Sequence, residues 1–468
     1  MSPDARKCIP VSSSARSADQ PMKILRTLWL LSLSVAAFAQ DAPLSLEEAV
    51  RQALATHPAL QAAGARGKAA EARRLQARSG YYPHLQWQET QQGGNNPVFV
   101  FSSKLTQRQF TQSDFAIDSL TRPGAYRNFQ TQVNAEQVIY DFGGVRSGVR
   151  AAEIGSKMTD EEKRRLEMEL IAQAARAYHG VTLATESLKL AEEAVKTAEA
   201  DLARAETVRS SGMATDADVL SVKVHVSAMK EQAIRRAADL QVARAALNQA
   251  LGLPLDQPHQ LTTPLTASAA PAAAEPAYEA KAREGRPEVR MAALGQNLAQ
   301  VRGDEARAGL LPQFFVRGTL EADRYNYFNQ GGVNWLLVGG MRWNLFDGNR
   351  ARNARSEARY LAESAAAEQK NAASAVQLQT RQSYSTWRAA QERIGVTESA
   401  ISMAEEALRI IRNRYSAGMA NITEVLRAQT ALLEAQTRRL AAVYDQRLAA
   451  IELERAAGTL KGDSDVLR

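Results

Sequence analysis

The five histidines, His57, His84, His179, His225 and His259, stand singly along the chain, and none has the His-x-x-Glu-His or paired spacing that holds a metal ion. Gly143-Gly144 and Gly339-Gly340 precede no Lys-Ser/Thr pair, so neither is a phosphate loop. A single cysteine, Cys8, excludes an intrachain disulfide framework and a Cys-based zinc or iron–sulfur site. No catalytic constellation emerges, and no metal or cofactor is expected. The polar side chains that do recur regularly are of another kind. Asn128, Gln130, Gln132, Asn134 and Glu136 occupy every second position, as on one face of a β-strand. Amides and a carboxylate in a row make a wetted wall rather than a nucleophile.

The opposite face of that segment carries Phe129, Val133, Ala135 and Ile139, with Thr131 between. A second alternating run, Val333 to Phe346, places Val333, Trp335, Leu337, Met341, Trp343 and Leu345 on one side; Leu85 and Trp87 open another strand, and Phe314, Val316 and Leu320 mark a fourth. The longer runs exceed ten residues, the length that a tilted membrane strand needs.

Long helices flank these strands. From Ala177 onward, Val181, Ala184, Leu188, Ala191, Val195, Ala198, Leu202 and Ala205 follow a 3-4 spacing that alternates small with larger residues, a coiled-coil seam suited to sideways packing. Trp387, Ala390, Ile394, Ile401, Ala404, Leu408, Ile411 and Tyr415 repeat the spacing later. No proline falls between Pro123 and Pro254, which predicts a helix from about Ala151 to Arg209, roughly 90 Å long.

The chain is internally duplicated. His57-Pro58-Ala59-Leu60 matches Arg286-Pro287-Glu288-Val289; Tyr82-Pro83-His84-Leu85 matches Leu311-Pro312-Gln313-Phe314; Val138-Ile139-Tyr140-Asp141-Phe142-Gly143 loosely matches Trp343-Asn344-Leu345-Phe346-Asp347-Gly348; Ser211-Gly212-Met213 matches Ala417-Gly418-Met419. Each half reads as a helix broken near its start by Pro58 or Pro287, a β-hairpin, and a long helical hairpin. The organisation expected is residues 40–256 as the first repeat (β-hairpin about 82–141, helical hairpin about 147–251) and 257–277 as a linker rich in Pro, Ala and Thr. The second repeat spans 278–460 (β-hairpin about 312–347, helical hairpin about 350–458), followed by a tail, 461–468.

Residues 22–39, MKILRTLWLLSLSVAAFA, have the charged start, apolar middle and Ala37-Phe38-Ala39 end of a secretory signal peptide, with residues 1–21 an upstream extension that suggests a mis-assigned start. Cleavage there removes Cys8 and lowers the net charge from +7 to +4 as five Lys or Arg and two Asp or Glu leave. Nucleic acid finds no support in so mild a charge. Four strands cannot close a barrel, and a membrane sheet cannot leave edges open to hydrocarbon. Two chains give eight strands, which fill their own interior; three give twelve and a lumen, lined by Asn128 to Glu136.

This order of elements resembles the TolC-like outer-membrane factor family from about Leu44 to Leu460, most specifically at His57-Pro58, Leu345-Phe346-Asp347-Gly348 and the paired Gly-Met turns. The resemblance implies a mixed α and β membrane protein. It would be a homotrimer whose 12-stranded outer-membrane β-barrel, four strands per chain, is continuous with a long periplasmic α-helical barrel. It implies a gated exit duct embedded in outer-membrane lipid that passes small molecules from the periplasm or an inner-membrane pump to the exterior. The duct would work with a periplasmic adaptor (membrane fusion protein) and an inner-membrane pump of RND, ABC or MFS type. Type I protein secretion and heavy-metal efflux remain alternative cargoes, and a pore-less coiled-coil protein is the rival of another class.

By the same resemblance, Gly212, Met213, Gly418 and Met419 form adaptor-docking turns. Asp218 and Tyr415 fall where a hydrogen bond holds the periplasmic gate shut. Of two acidic positions that ring that gate, one is Glu424 and the other is Arg427, and Ala420 replaces a constricting Arg. A single acidic ring beside Arg427 predicts weak cation selectivity.

Overall fold

The computed structural model describes residues 43–468, apart from Met213 and residues 269–272. The expected signal peptide, the upstream extension and the Met213 docking position lie outside the described residues.

Each half opens with two short helices, α1 (Leu46–Thr56) and α2 (Pro58–Arg78). The strands β2 (His84–Gly94) and β3 (Tyr126–Tyr140) follow, with helices α3 (Pro97–Thr106) and α4 (Ile117–Thr121) between them. Next come α5 (Gly144–Ser210) and α6 (Asp216–Leu251). The second half runs α7 (Glu275–Gly285), α8 (Pro287–Ala308), β5 (Gln313–Arg324), β6 (Gly332–Arg342), α9 (Arg350–Ser416) and α10 (Ile422–Ala457). Two-residue strands β1 (Pro43–Leu44) and β4 (Gln260–Leu261) pair in parallel.

The helical hairpins are duplicated without a residue gained or lost. α5 and α9 both have 67 residues, α6 and α10 both have 36, and the same 206 positions separate Gly144 from Arg350, Gly212 from Gly418 and Gly252 from Gly458. At 1.5 Å per residue each longer helix spans about 100 Å. Their starts are built alike. The Asp141 carboxylate accepts the Val145 N–H at 2.6 Å and the Asp347 carboxylate accepts the Ala351 N–H at 3.0 Å, after left-handed Gly143 and Asn349.

The helical run that opens each half is interrupted at Pro58 and at Pro287, and each proline occupies the first turn of the helix that follows, where its missing N–H costs nothing. Gly252 and Gly458 end α6 and α10 in the left-handed region at φ 71° and 74°. A Cβ on Gly252 would stand 3.0 Å from the His57 Cα, and one on Gly458 would stand 2.7 Å from the Gly285 carbonyl carbon. So α2 takes over where α6 stops, α8 takes over from α10, and both composite rows lie along the long helices α5 and α9.

Between the two halves the expected linker is tightly docked. The buried Tyr178 hydroxyl donates to Leu44 O at 2.8 Å and accepts from Thr263 N at 2.8 Å. Gln446 holds Ser268 at both its N–H and C=O, and Arg447 donates to Thr266 O at 2.6 Å. Strand β1, helix α1 and the chain end around Leu460 and Leu467 close this core over Leu247, Leu251 and Ile451. Nearby, His179 is fully buried with both ring nitrogens lacking a partner. Burial, and then the Arg447 charge, push its pKa down to about 4.

The sheet is antiparallel in the order β2-β3-β5-β6. β6 ends at Arg342 opposite Gln313, the first residue of β5, so the expected continuation to Phe346 has no strand to pair with. Phe99 and Phe101 lie on α3, between β2 and β3. Among the described residues no helix is long and apolar enough to cross a membrane.

Candidate functional site

Register assigns every strand residue to a face. Asn128, Gln130, Gln132, Asn134 and Glu136 lie opposite Gln92, Thr90, Gln88, Gln86 and His84 on β2. On β5 the corresponding residues are Asp323, Glu321, Thr319 and Arg317, so polar side chains cover one face across three strands. Arg317 Nε donates to Glu136 at 2.8 Å, Thr319 donates to Asn134 at 2.8 Å, and Asn128 donates to Asp323 at 2.6 Å. The other face carries Trp87, Val133, Leu320 and Trp335 in one cross-strand row. Trp335 is 79% and Trp87 66% exposed. An apolar face left this open on a single chain fits lipid, and a polar face fits a water-filled lumen.

At the far end of the helices, Gly212 and Gly418 turn the chain with φ 79° and 71°. Gly418 N donates to Tyr415 O at 3.0 Å and Met419 N to Arg414 O at 2.8 Å, leaving the Met419 side chain 65% exposed. Each return helix is capped at equivalent positions: the Thr215 hydroxyl accepts from Asp218 N at 3.2 Å, and the Asn421 amide oxygen accepts from Glu424 N at 3.0 Å.

The expected Tyr415–Asp218 hydrogen bond is not formed. The Asp218 carboxylate instead accepts the Thr215 N–H at 3.0 Å and hydroxyl at 2.8 Å, completing a capping box. Those two bonds, backbone first, hold its carboxyl below the usual range. Tyr415 is nevertheless close by: burial first, then the charges of Asp218 and Asp201, raise its phenol. Within the chain Glu424 and Arg427 form no ion pair, and Arg427 faces solvent.

Between these turns and the body lies a polar tie absent from our reading of the sequence. Asp201 on α5, 6% exposed, accepts a short hydrogen bond from Gln429 on α10 and pairs with Arg204 at 3.5 Å. His225 on α6 is drawn down by burial and pulled back up by the Asp201 charge. A cavity of about 200 Å³ separates His225, Gln429 and Arg412, and Arg412 Nε and Gln429 Oε1 are buried without a partner. The surrounding packing, Leu202, Val222, Val226, Leu408, Val425 and Ala428, is apolar. The signal was legible: Asp201 sits beside the Ala198-Leu202-Ala205 seam, where the second repeat has Ala407.

Comparison with known proteins agrees with this geometry. A family model described as "Outer membrane efflux protein" matches residues 49–253 and 280–459. Protein CyaE of Bordetella pertussis is 26% identical over 437 residues, 89% of this chain and 84% of that protein. Among solved structures, the outer membrane protein VceC of Vibrio cholerae superposes with a TM-score of 0.76 at 19% identity, over 88% of this chain and 96% of its own. The open state of the MtrE outer membrane channel of Neisseria gonorrhoeae gives 0.72 at 19% identity, over 89% and 90%.

Proposed function

The chain belongs to the outer membrane efflux protein family, and from that premise we propose that it is the exit duct of a tripartite export system, working as a homotrimer. The observation that carries this is the four-stranded sheet with one polar and one bare apolar face and unpaired edges at β2 and β6. Pairing β6 of one chain with β2 of the next removes every edge, and three chains leave a lumen walled by Asn128, Gln130, Gln132, Asn134 and Glu136. The helical hairpins then extend that lumen as a tube into the periplasm.

The remaining roles follow from position. The exposed turn at Gly418-Met419, and with it the equivalent turn at Gly212, offers soft apolar contact to a periplasmic adaptor, itself joined to an inner-membrane pump. Asp218, Tyr415, Glu424 and Arg427 stand at the narrow end as gate residues. The segment 22–39 is the export signal that brings the chain to the outer membrane.

Heat-modifiable migration of a membrane-extracted trimer and channel activity in a planar bilayer test the reading. Gln132→Arg is expected to keep the trimer and alter ion selectivity. Trp335→Arg, on the lipid side, is expected to block assembly, since a mid-bilayer Arg costs about 2–4 kcal/mol. A monomeric protein without conductance, or variants that behave alike, overturns it.

A further inference from the structure

The two β-hairpins differ most at the end away from the helices. Residues 325–331 join β5 to β6, whereas residues 95–125 join β2 to β3. That longer loop does not trail away from the sheet. Asn96 caps α3 by accepting from Val98 N at 3.0 Å and Phe99 N at 3.3 Å, and the helix folds back over the strand ends. Gln107 donates to Arg127 O at 3.0 Å and to the Asn128 side chain at 2.9 Å. Asn334 donates to Thr106 O at 3.3 Å, and Arg108, at φ 57°, donates to Val333 O at 3.1 Å.

Register decides which face is covered. Asn128, Asp323 and Asn334 all stand on the polar face, and Asn128 and Asp323 are buried to 4% and 0% exposure, while on the other face Phe129 and Arg324 beside them are only half-buried, against Tyr327. The loop is also a built structure. Phe110 packs edge-to-face against Phe101 and Phe115, and Lys104 pairs with Asp114 at 2.6 Å. Yet Val98, Phe115 and Ile117 remain largely exposed in the single chain, a surface that water does not favour.

Size settles where those residues go. Twelve strands about 4.8 Å apart and tilted by about 40° enclose a cylinder roughly 24 Å across. A helix with its side chains is about 10 Å thick, so three copies against the wall leave an opening of a few ångströms. We propose that residues 95–125 of the three chains meet on the threefold axis and seal the distal mouth of the pore with apolar side chains, each copy covering its neighbours. The inference rests on the trimeric-duct reading. It gives the pore a second closure, at the end opposite the helical turns, that excludes hydrated solutes from outside.

Labelling from outside intact cells tests this without interference from the helical end. In a Cys8→Ser background, Gln132→Cys reports the lumen beneath the seal, and Asn329→Cys on the short distal loop reports the open surface. A sulfonated, membrane-impermeant maleimide is expected to label Asn329→Cys readily and Gln132→Cys at least tenfold more slowly. Replacing residues 95–125 by the native short loop 325–331 is expected to bring Gln132→Cys up to the rate of Asn329→Cys. Rapid labelling of Gln132→Cys in the full chain overturns the seal while leaving the duct intact. No labelling in either chain, with a heat-modifiable trimer present, removes Gln132 from the lumen and sinks both readings.

Discussion

The Gln429 amide donates to the Asp201 carboxylate, tying the outgoing helix of the first hairpin to the return helix of the second. Two elements 228 positions apart in sequence are thereby held at one height near the narrow end. The tie sits inside apolar packing, so it cannot be exchanged freely for water.

Breaking that tie should loosen the tip. Asp201→Ala leaves Gln429 without its acceptor and Arg204 without its partner, and a buried hydrogen bond to a charged group contributes about 1.5–3 kcal/mol. Hydrogen exchange of α6 and α10 near the turns should quicken about tenfold or more, with longer open times in a bilayer. Exchange unchanged in both helices would show that the tie contributes nothing.

Asp218 should act through Thr215 rather than through Tyr415. Thr215→Ala removes a cap, with an expected cost of about 1 kcal/mol in the local stability of the turn. Tyr415→Phe should leave conductance and opening statistics at the wild-type level, because the phenol donates to no carboxylate within the chain. Since the Asp218 carboxyl is lowered by folding, its contribution is present above the ordinary Asp range and fades as pH falls through its depressed value. A clear change in gating by Tyr415→Phe would restore the latch.

His179 makes the midsection acid-sensitive. Its pKa drops from 6.5 to about 4 on folding, so the unfolded chain takes up the proton first. Stability is therefore full above pH 6.5, declines toward pH 4 and levels off below it, an overall loss of about 3 kcal/mol. His179→Leu should flatten the dependence of the denaturation midpoint. The difference between the two curves isolates the imidazole from Glu454, whose carboxyl is pushed up by burial. Parallel curves would refute the assignment.

Three glycines in the left-handed region should rank by surroundings. Gly212→Ala meets nothing within 4 Å and should cost only the backbone term, about 1 kcal/mol. Gly252→Ala meets His57 and Pro58, and Gly458→Ala meets the Gly285–Arg286 peptide at 2.7 Å, so its loss should be the largest. Urea midpoints of the solubilised variants give the order directly, and equal losses would mean that the helix junctions are slack.

Ion selectivity should be weak at the narrow end. One acidic ring from Glu424, with Arg427 one turn further along the same helix, predicts a small cation preference in asymmetric KCl. Arg427→Glu should raise it severalfold. Strong cation preference in the unmodified channel would show that Arg427 lies away from the ion path.

Much of the fold is legible in the sequence because it is set by periodicity. The polar face from Asn128 to Glu136 and the turns at Gly212 and Gly418 follow from alternation and from glycine, both local properties. What escapes is what depends on distant partners. The apolar run ending in Trp343, Leu345 and Phe346 has the pattern of strand but no neighbour beyond Gln313. The Asp201–Gln429 tie depends on the relative phase of two helices, and the docking of Thr263, Thr266 and Ser268 on backbone hydrogen bonds that leave no compositional trace. The fold-back of residues 95–125 was hidden because Gln107 and Asn128 are ordinary loop and strand residues until register brings them together.

The equal lengths of α5 and α9, and of α6 and α10, restrict how such a chain can change. One residue inserted into α9 alone turns everything beyond it by about 100° and lowers that part of the rim by about 1.5 Å. A seven-residue step nearly preserves the facing of side chains, but still leaves one half longer than the other. Reach across the periplasm is therefore a quantised trait, able to evolve only by matched steps on the outgoing and return legs of both halves.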